Sequence, residues 1–382
     1  MKNGFQVVDT DLHVIEPPTL WQDRLPEPYR SMTKIELGAG GHLEVSGYRF
    51  ELGDVRFNTT SDTVIRQSQQ RWEKDPHLAE AHLNANPDLY LVGMDAEGID
   101  VAVLVPTLAF LITTCDGLAP DHADAICRVY NDWVAEFAAA HPDRFKFWAW
   151  LPRQAPELAA AEAERAVREL GAAGVAITSG AVEGKLLGDP CFDVLWDAVS
   201  RLDVPLGVHL YGTAPGMRDD VQARYHGQPA NLARATMNGL YHGVSALPEL
   251  IGAGVLERYP NLRPMIMEIA SAWLLWLVDK MDGMWEMYGS FTDVTLSMRP
   301  SDYIRRQCFI TVEAEESSLP YLIEQNLTDA LVFSTDYPHH DSPWPKGVST
   351  LLSHPISDDA KRKILWDNAQ RLFASREAAP VN

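Results

Sequence analysis

Short apolar runs, each five to eight residues long, recur along the chain and are separated by stretches whose apolar residues return at helical spacing. Eight runs read as strands: Gln6–Asp11, Val101–Pro106, Phe145–Leu151, Gly174–Thr178, Pro205–Leu210, Pro264–Glu268, Cys308–Val312 and Ala330–Ser334. Amphipathic segments such as Asp121–His141, Glu157–Leu170, Phe192–Leu202 and Ala270–Tyr288 lie between them. This alternation predicts βα units around a parallel sheet, and eight of them predict a (β/α)8 barrel. The first interval is too long for one helix. Residues 38–75, rich in Gly, Ser, Thr, Asn and Arg, read as an insertion on the barrel rim, with a hairpin over His42–Glu51 turning at Ser46-Gly47. A second long connection, Tyr211–Asn238, follows the fifth strand, and helical sequence resumes near Gly239.

The length of 382 residues suits a single barrel domain over 1–382 with insertions. No run of eighteen apolar residues is present to span a bilayer, and the first six residues do not resemble a secretory signal, so a cytoplasmic protein is expected. A net charge of −21 argues against nucleic acid and anionic membrane as partners and leaves a small molecule as the ligand class. The four cysteines (Cys115, Cys127, Cys191, Cys308) form no Cys-x-x-Cys pair and read as reduced packing residues. Walker, dinucleotide-binding and Gly-x-Ser-x-Gly motifs are absent, which removes the usual signals for nucleotide binding and serine hydrolysis.

In such a barrel the reactive groups gather at the carboxyl ends of the strands. The first strand closes on Asp11-Leu-His13 and the fifth on Gly207-Val-His209. The sixth closes on Met267-Glu268 and the eighth on Ser334-Thr-Asp336. In an extended strand, residues two apart share a face, so Asp11 and His13 project together. Two His and three carboxylates can hold one or two divalent ions.

These motifs resemble those of the amidohydrolase superfamily, in particular the amidohydrolase-related branch that contains aminocarboxymuconate-semialdehyde decarboxylase. The resemblance runs through Asp9-Thr-Asp-Leu-His-Val-Ile-Glu-Pro17, Gly207-Val-His209, Leu256-Glu-Arg-Tyr-Pro-Asn-Leu-Arg263, Phe333-Ser-Thr-Asp-Tyr-Pro-His339, Trp344-Pro345 and Asn368-Ala-Gln-Arg-Leu-Phe373. It implies a distorted (β/α)8 barrel with a metal at its mouth, a homodimeric assembly, and a role for Asp336 as both ligand and proton-transfer group. Two positions depart from the pattern. Asp11-x-His13 stands where many members have His-x-His, and Glu268 stands where the decarboxylases often have His. A shell of Asp11, His13, His209 and Asp336, with Glu16 or Glu268 as further donors, is rich in oxygen and tilts the choice toward iron or manganese, with zinc also compatible. No lysine at the fourth strand end offers a carbamate bridge, since Lys185 lies beyond Thr178.

His339 and His340 beside Asp336 are candidate proton carriers. Trp21, Tyr211 and Trp344 are candidate walls of an apolar substrate pocket, and Arg218, with Arg224, is a candidate clamp for an anionic group. The leading expectation is a metal-dependent hydrolase in which an activated water attacks an amide, lactone, ester or thioester carbonyl. A non-oxidative decarboxylase of an aromatic or unsaturated acid is the alternative, and a metal-stabilised barrel that binds without turnover is the third reading.

Overall fold

In the computed structural model, residues 1–37, 48–58, 62–210, 236–237 and 240–375 are described. The first strand, β1 (Val8–Val14), is buried along its whole length. It leads through two short helices into an insertion of three antiparallel strands, β2 (Thr33–Leu37), β3 (Tyr48–Leu52) and β4 (Val55–Asn58). The tight turn within this sheet is Gly53-Asp54, where Gly53 adopts φ +64, joining β3 to β4. Tyr48–Glu51 of the expected hairpin falls in β3, which pairs with both neighbours, whereas the expected Ser46-Gly47 turn lies outside the described residues. Helices Asp62–Lys74 and Pro76–Leu83 complete the insertion.

The remaining barrel strands are β5 (Val101–Pro106), β6 (Phe145–Trp150), β7 (Gly174–Thr178), β8 (Leu206–His209), β9 (Pro264–Met267), β10 (Phe309–Val312) and β11 (Leu331–Phe333). They pair in parallel in the order β1-β5-β6-β7-β8-β9-β10-β11. Helices cover one face of each strand and barrel-interior side chains the other, which is why these strands appear as unbroken apolar runs. Contacts from β1 to the chain just beyond β11 close the ring. Thr10 Oγ1 donates to the Phe333 carbonyl at 2.9 Å, the Asp336 N–H to the Asp11 carbonyl at 3.2 Å, and the His13 N–H to the Tyr337 carbonyl at 2.8 Å. The result is a distorted (β/α)8 barrel.

The helices have sequence-encoded ends. Proline occupies the first helical position of Pro87–Glu97, Pro120–Ala139, Pro156–Leu170 and Pro300–Gln307, where its missing N–H has no partner to lose. In the interior, Gly207 is required by close approach: a Cβ there would lie 2.9 Å from Met267 Sδ and 3.0 Å from Ala176 Cβ. No helix among the described residues is long and apolar enough to cross a membrane.

Candidate metal centre

Register places the chemistry on β1. Asp9 pairs with Ala102 but Leu12 pairs with Leu104, so Thr10 and Asp11 together face one residue of β5. This bulge re-aims the strand just before its end. Asp11, His13 and His209 bring ligand atoms within 4.8 Å of one another, and so do His13, Asp336 and His339. His13 Nε2 lies 3.7 Å from Asp11 Oδ1, 3.4 Å from Asp336 Oδ1 and 3.6 Å from Glu268 Oε2. His209 Nε2 is 3.2 Å from His13 Nε2 and 2.9 Å from Glu268 Oε2.

The other ring nitrogens are tied to the scaffold. His13 Nδ1 meets Thr107 Oγ1 at 2.9 Å, and His209 Nδ1 donates to the Leu210 carbonyl at 3.1 Å. Such bonds fix the ring orientation and turn the Nε2 atoms toward the centre. Phe110 walls the pair, with its ring centroid 4.9 Å from that of His209 and 6.3 Å from that of His13. Beneath the cluster, Asp9 accepts from the Asp11 N–H at 3.2 Å, from the Thr335 N–H at 3.2 Å and from the Thr335 hydroxyl. It thereby links the loop that carries Asp336 to β1.

Electrostatically the site is under-neutralised. Both carboxylate oxygens of Asp11 are buried and lack a hydrogen-bond partner among the described residues. Burial pushes the Asp11 carboxyl up to about 7, and burial with the adjacent His339 holds His13 down at about 3, in the neutral form that ligates metals. Burial opposes charge on His209, yet Glu268 and Asp11 raise it above its ordinary value. Burial likewise opposes charge on Glu268, but His209 and His13 hold it well below the usual carboxylate range. The backbone carries strain at the same place: Glu268, Ala270 and Asp336 adopt φ of +59, +56 and +57 without being glycine. A divalent cation fits this donor set, since it would satisfy the orphaned Asp11 oxygens and the inward-facing imidazole nitrogens together.

Several candidates stand elsewhere. Glu16 is buried with its carboxylate accepting from the N–H groups of Thr107, Leu108 and Ala109 at 3.1, 2.8 and 2.9 Å, so it anchors a helix start instead of joining the ligand atoms. Trp21 is a fully buried core residue whose indole donates to the Ile126 carbonyl at 3.5 Å. Trp344 donates to the Gly93 carbonyl at 3.0 Å and stacks on His77, so it packs the insertion against the loop after β11. Long-range backbone carbonyls claim both indoles, which corrects their expected place in a substrate wall. His339 Nδ1 bonds Asp336 Oδ1 at 2.9 Å, whereas His340 Nδ1 lies 3.7 Å from the solvent-facing Asp341. Tyr211, Arg218 and Arg224 lie outside the described residues. Sequence reasoning missed Asp9 and Thr107; the strand-end position of Thr107, directly after Pro106, was the available signal for the latter.

Residues 8–374 match the amidohydrolase family. The chain belongs to that family. Gamma-resorcylate decarboxylase of Polaromonas sp. JS666 is 28% identical over 295 residues, covering 73% of this chain and 85% of that protein. Among solved structures, an amidohydrolase from Mycobacterium avium subsp. paratuberculosis superposes with a TM-score of 0.76 at 21% identity, covering 97% of this chain and 100% of its own. A dihydroxybenzoic acid decarboxylase from Polaromonas sp. JS666, solved with manganese and the inhibitor 2-nitroresorcinol, gives a TM-score of 0.67 at 21% identity and 97% coverage of each chain. This chain is thus an enzyme of the amidohydrolase superfamily. The decarboxylase relative overturns the expectation of hydrolysis at an amide, lactone, ester or thioester, and with it the reading of a barrel without turnover. The physical reason is that one ligand shell serves either reaction, because strand-end donors fix the ion and leave the bond to be cleaved to the substrate.

Proposed function

We propose that this enzyme is a metal-dependent, non-oxidative decarboxylase of an aromatic carboxylic acid. The observation that carries the proposal is the convergence of Asp11, His13, His209 and Asp336 at the barrel mouth, in a chain whose relative over most of its length is such a decarboxylase. Asp11, His13, His209 and Asp336 would hold the ion, with Glu268 closing the shell. His13 has only Nε2 to give, because Nδ1 is bound to Thr107, so the two ligand groups that share it describe one ion. The oxygen-rich donor set favours manganese or iron over zinc, in keeping with the manganese of the Polaromonas structure.

When bound, a divalent cation would fix the substrate carboxylate and an adjacent ring oxygen and would stabilise negative charge developing on the ring. The protein supplies the rest. In this reading Asp336, whose carboxylate lies 2.9 Å from His339 Nδ1, passes a proton to the ring carbon that bears the carboxylate. The carbon–carbon bond then breaks, its electron pair returns to the ring, carbon dioxide leaves, and a hydrogen stands where the carboxylate was. Phe110, against His13 and His209, shields one side of the centre from water.

The test is incubation of manganese-loaded enzyme with hydroxybenzoates in deuterated water. Carbon dioxide release with one deuterium placed on the ring is the expected result. Water-derived oxygen entering an ester or amide substrate, with no carbon dioxide from any ring acid, would sink the proposal.

A further inference from the structure

Beside the metal centre, between the carboxyl ends of β9 and β10, lies a cavity of about 370 Å³. That size falls within the range of small-molecule sites, about 300–1,000 Å³. Glu268 forms its inner end, in reach of His209 at 2.9 Å, so the cavity opens directly off the ligand cluster. Leu240, Ile269 and Trp273 make an apolar and aromatic wall. The Trp273 indole donates to the Ala270 carbonyl at 2.8 Å, which locks the ring against the strained turn after Glu268. Glu313, the first residue after β10, also lines the cavity. Its backbone N–H is held by Glu316, and its carboxylate, on an exposed residue, makes no hydrogen bond or ion pair among the described residues. No lysine or arginine is among the described residues that line the space.

We infer that this cavity is the ring pocket of the proposed decarboxylase, and that Glu313 selects aromatic acids carrying one carboxylate and a hydroxyl or amino group on the far side of the ring. This rests on the decarboxylase reading. The ring lies along Trp273, the reacting carboxylate points to the metal cluster, and the distal donor gives its hydrogen to Glu313. Partial desolvation and the neighbouring Glu316 and Glu268 push the Glu313 carboxyl up to about 7, so above about pH 8 a charge-assisted O–H···O⁻ or N–H···O⁻ bond rewards such a group. A second carboxylate in that position meets the ionised Glu313 and is repelled. A methyl ether fills the space without a hydrogen to donate and forgoes that bond, leaving the exposed Glu313 carboxylate to water.

Calorimetric titration of the manganese-loaded enzyme at about pH 8.5, where Glu313 is ionised, tests this with salicylates bearing, meta or para to the carboxyl, a second hydroxyl, a methoxyl or a second carboxylate. Binding of the hydroxyl compound about tenfold tighter than the methoxyl compound is expected. In Glu313→Gln that ratio should shrink to about threefold or less, and the dicarboxylate should bind about threefold or more better than it binds wild type. Glu313→Ala, with its thermal midpoint checked, guards against a new contact from the amide. A ratio unchanged in both variants overturns the assignment. So does wild-type binding of the dicarboxylate as tightly as the hydroxyl compound, or failure of every ring acid to bind. Carbon dioxide is measured on the same compounds: the predicted binding order without its release counts against decarboxylation alone, whereas release with a flat order counts against Glu313 alone.

Discussion

Both ends of the barrel bury charge, but they treat it oppositely. At the amino-terminal end, the fully buried Arg263 guanidinium donates to the Asp203 carboxylate, to the Asp203 carbonyl at 2.6 Å and to the Leu372 carbonyl at 2.9 Å. Ser375 completes the Asp203 carboxylate at 2.9 Å. At the carboxyl end, Asp11 is equally buried and both its oxygens lack a hydrogen-bond partner among the described residues. A satisfied buried pair holds elements together, here the last helix against the barrel floor. An unsatisfied one is a standing demand for a cation. The difference separates charge that serves the fold from charge that, in the proposed enzyme, serves the reaction.

The sharpest way to break this contrast is to exchange the consequences of the two sites. Asp11→Ala is expected to lower metal occupancy to background and decarboxylation by at least about a thousandfold, while the metal-free protein keeps or raises its thermal midpoint, because an uncompensated buried carboxylate is gone. A metal-free variant that unfolds well below wild type would place Asp11 with the structural charges instead. Arg263→Ala should do the reverse: a loss of about 3–5 kcal/mol in denaturant unfolding, since Asp203 is left buried without its partner, with metal content of the folded fraction unchanged. Equal loss of metal in that variant would erase the distinction between the two ends.

Smaller effects sharpen the comparison within the mouth. Thr107→Val frees His13 Nδ1, and a drop of about 10–100-fold in metal affinity is expected from competition with a chelator. No change would mean that packing alone orients the ring. The smallest effect concerns Glu16, a buried carboxylate satisfied by three N–H groups. Burial pushes it up to about 7 from an ordinary 4.5, against the opposing pull of those N–H groups. A raised folded value means that the native state holds the proton longer than the unfolded chain. Its contribution is therefore present below pH 4.5 and fades as the pH rises toward 7. Metal-free wild type should lose stability across that window relative to Glu16→Gln, with a slope of up to about 1.4 kcal/mol per pH unit. Parallel pH profiles for the two proteins would remove Glu16 from the balance.

The barrel was readable because each parallel strand is buried on both faces and shows as an apolar run, so all eight runs overlap observed strands. Only β1 runs well past its expected end, through Val14, because its polar Asp9, Asp11 and His13 point into the interior, which an apolar pattern cannot show. The strand-end rule singled out Asp11, His13, His209 and Asp336, since it depends on topology and not on the details of side-chain contact. Glu16 was misread because its three partners lie 91 to 93 residues away, and nothing local marks a carboxylate as the anchor of a distant helix. The same holds for Trp344, whose carbonyl partner is 251 residues upstream. Glu313 stood in plain view after Phe309-Ile-Thr-Val312, but only the cavity beside it gives that position meaning.

The clasp between Asp9 and Thr335 spans 326 residues and joins the first strand of the barrel to the loop after the last. During synthesis, Asp11 and His13 are therefore made long before Asp336. A product that stops short of the last barrel strand lacks Asp336, so the proposed ligand set cannot close in it. Contacts of such long sequence separation also make late barrel closure a slow step. In the proposed enzyme, loading of the ion thus waits on closure of the barrel by its last strand.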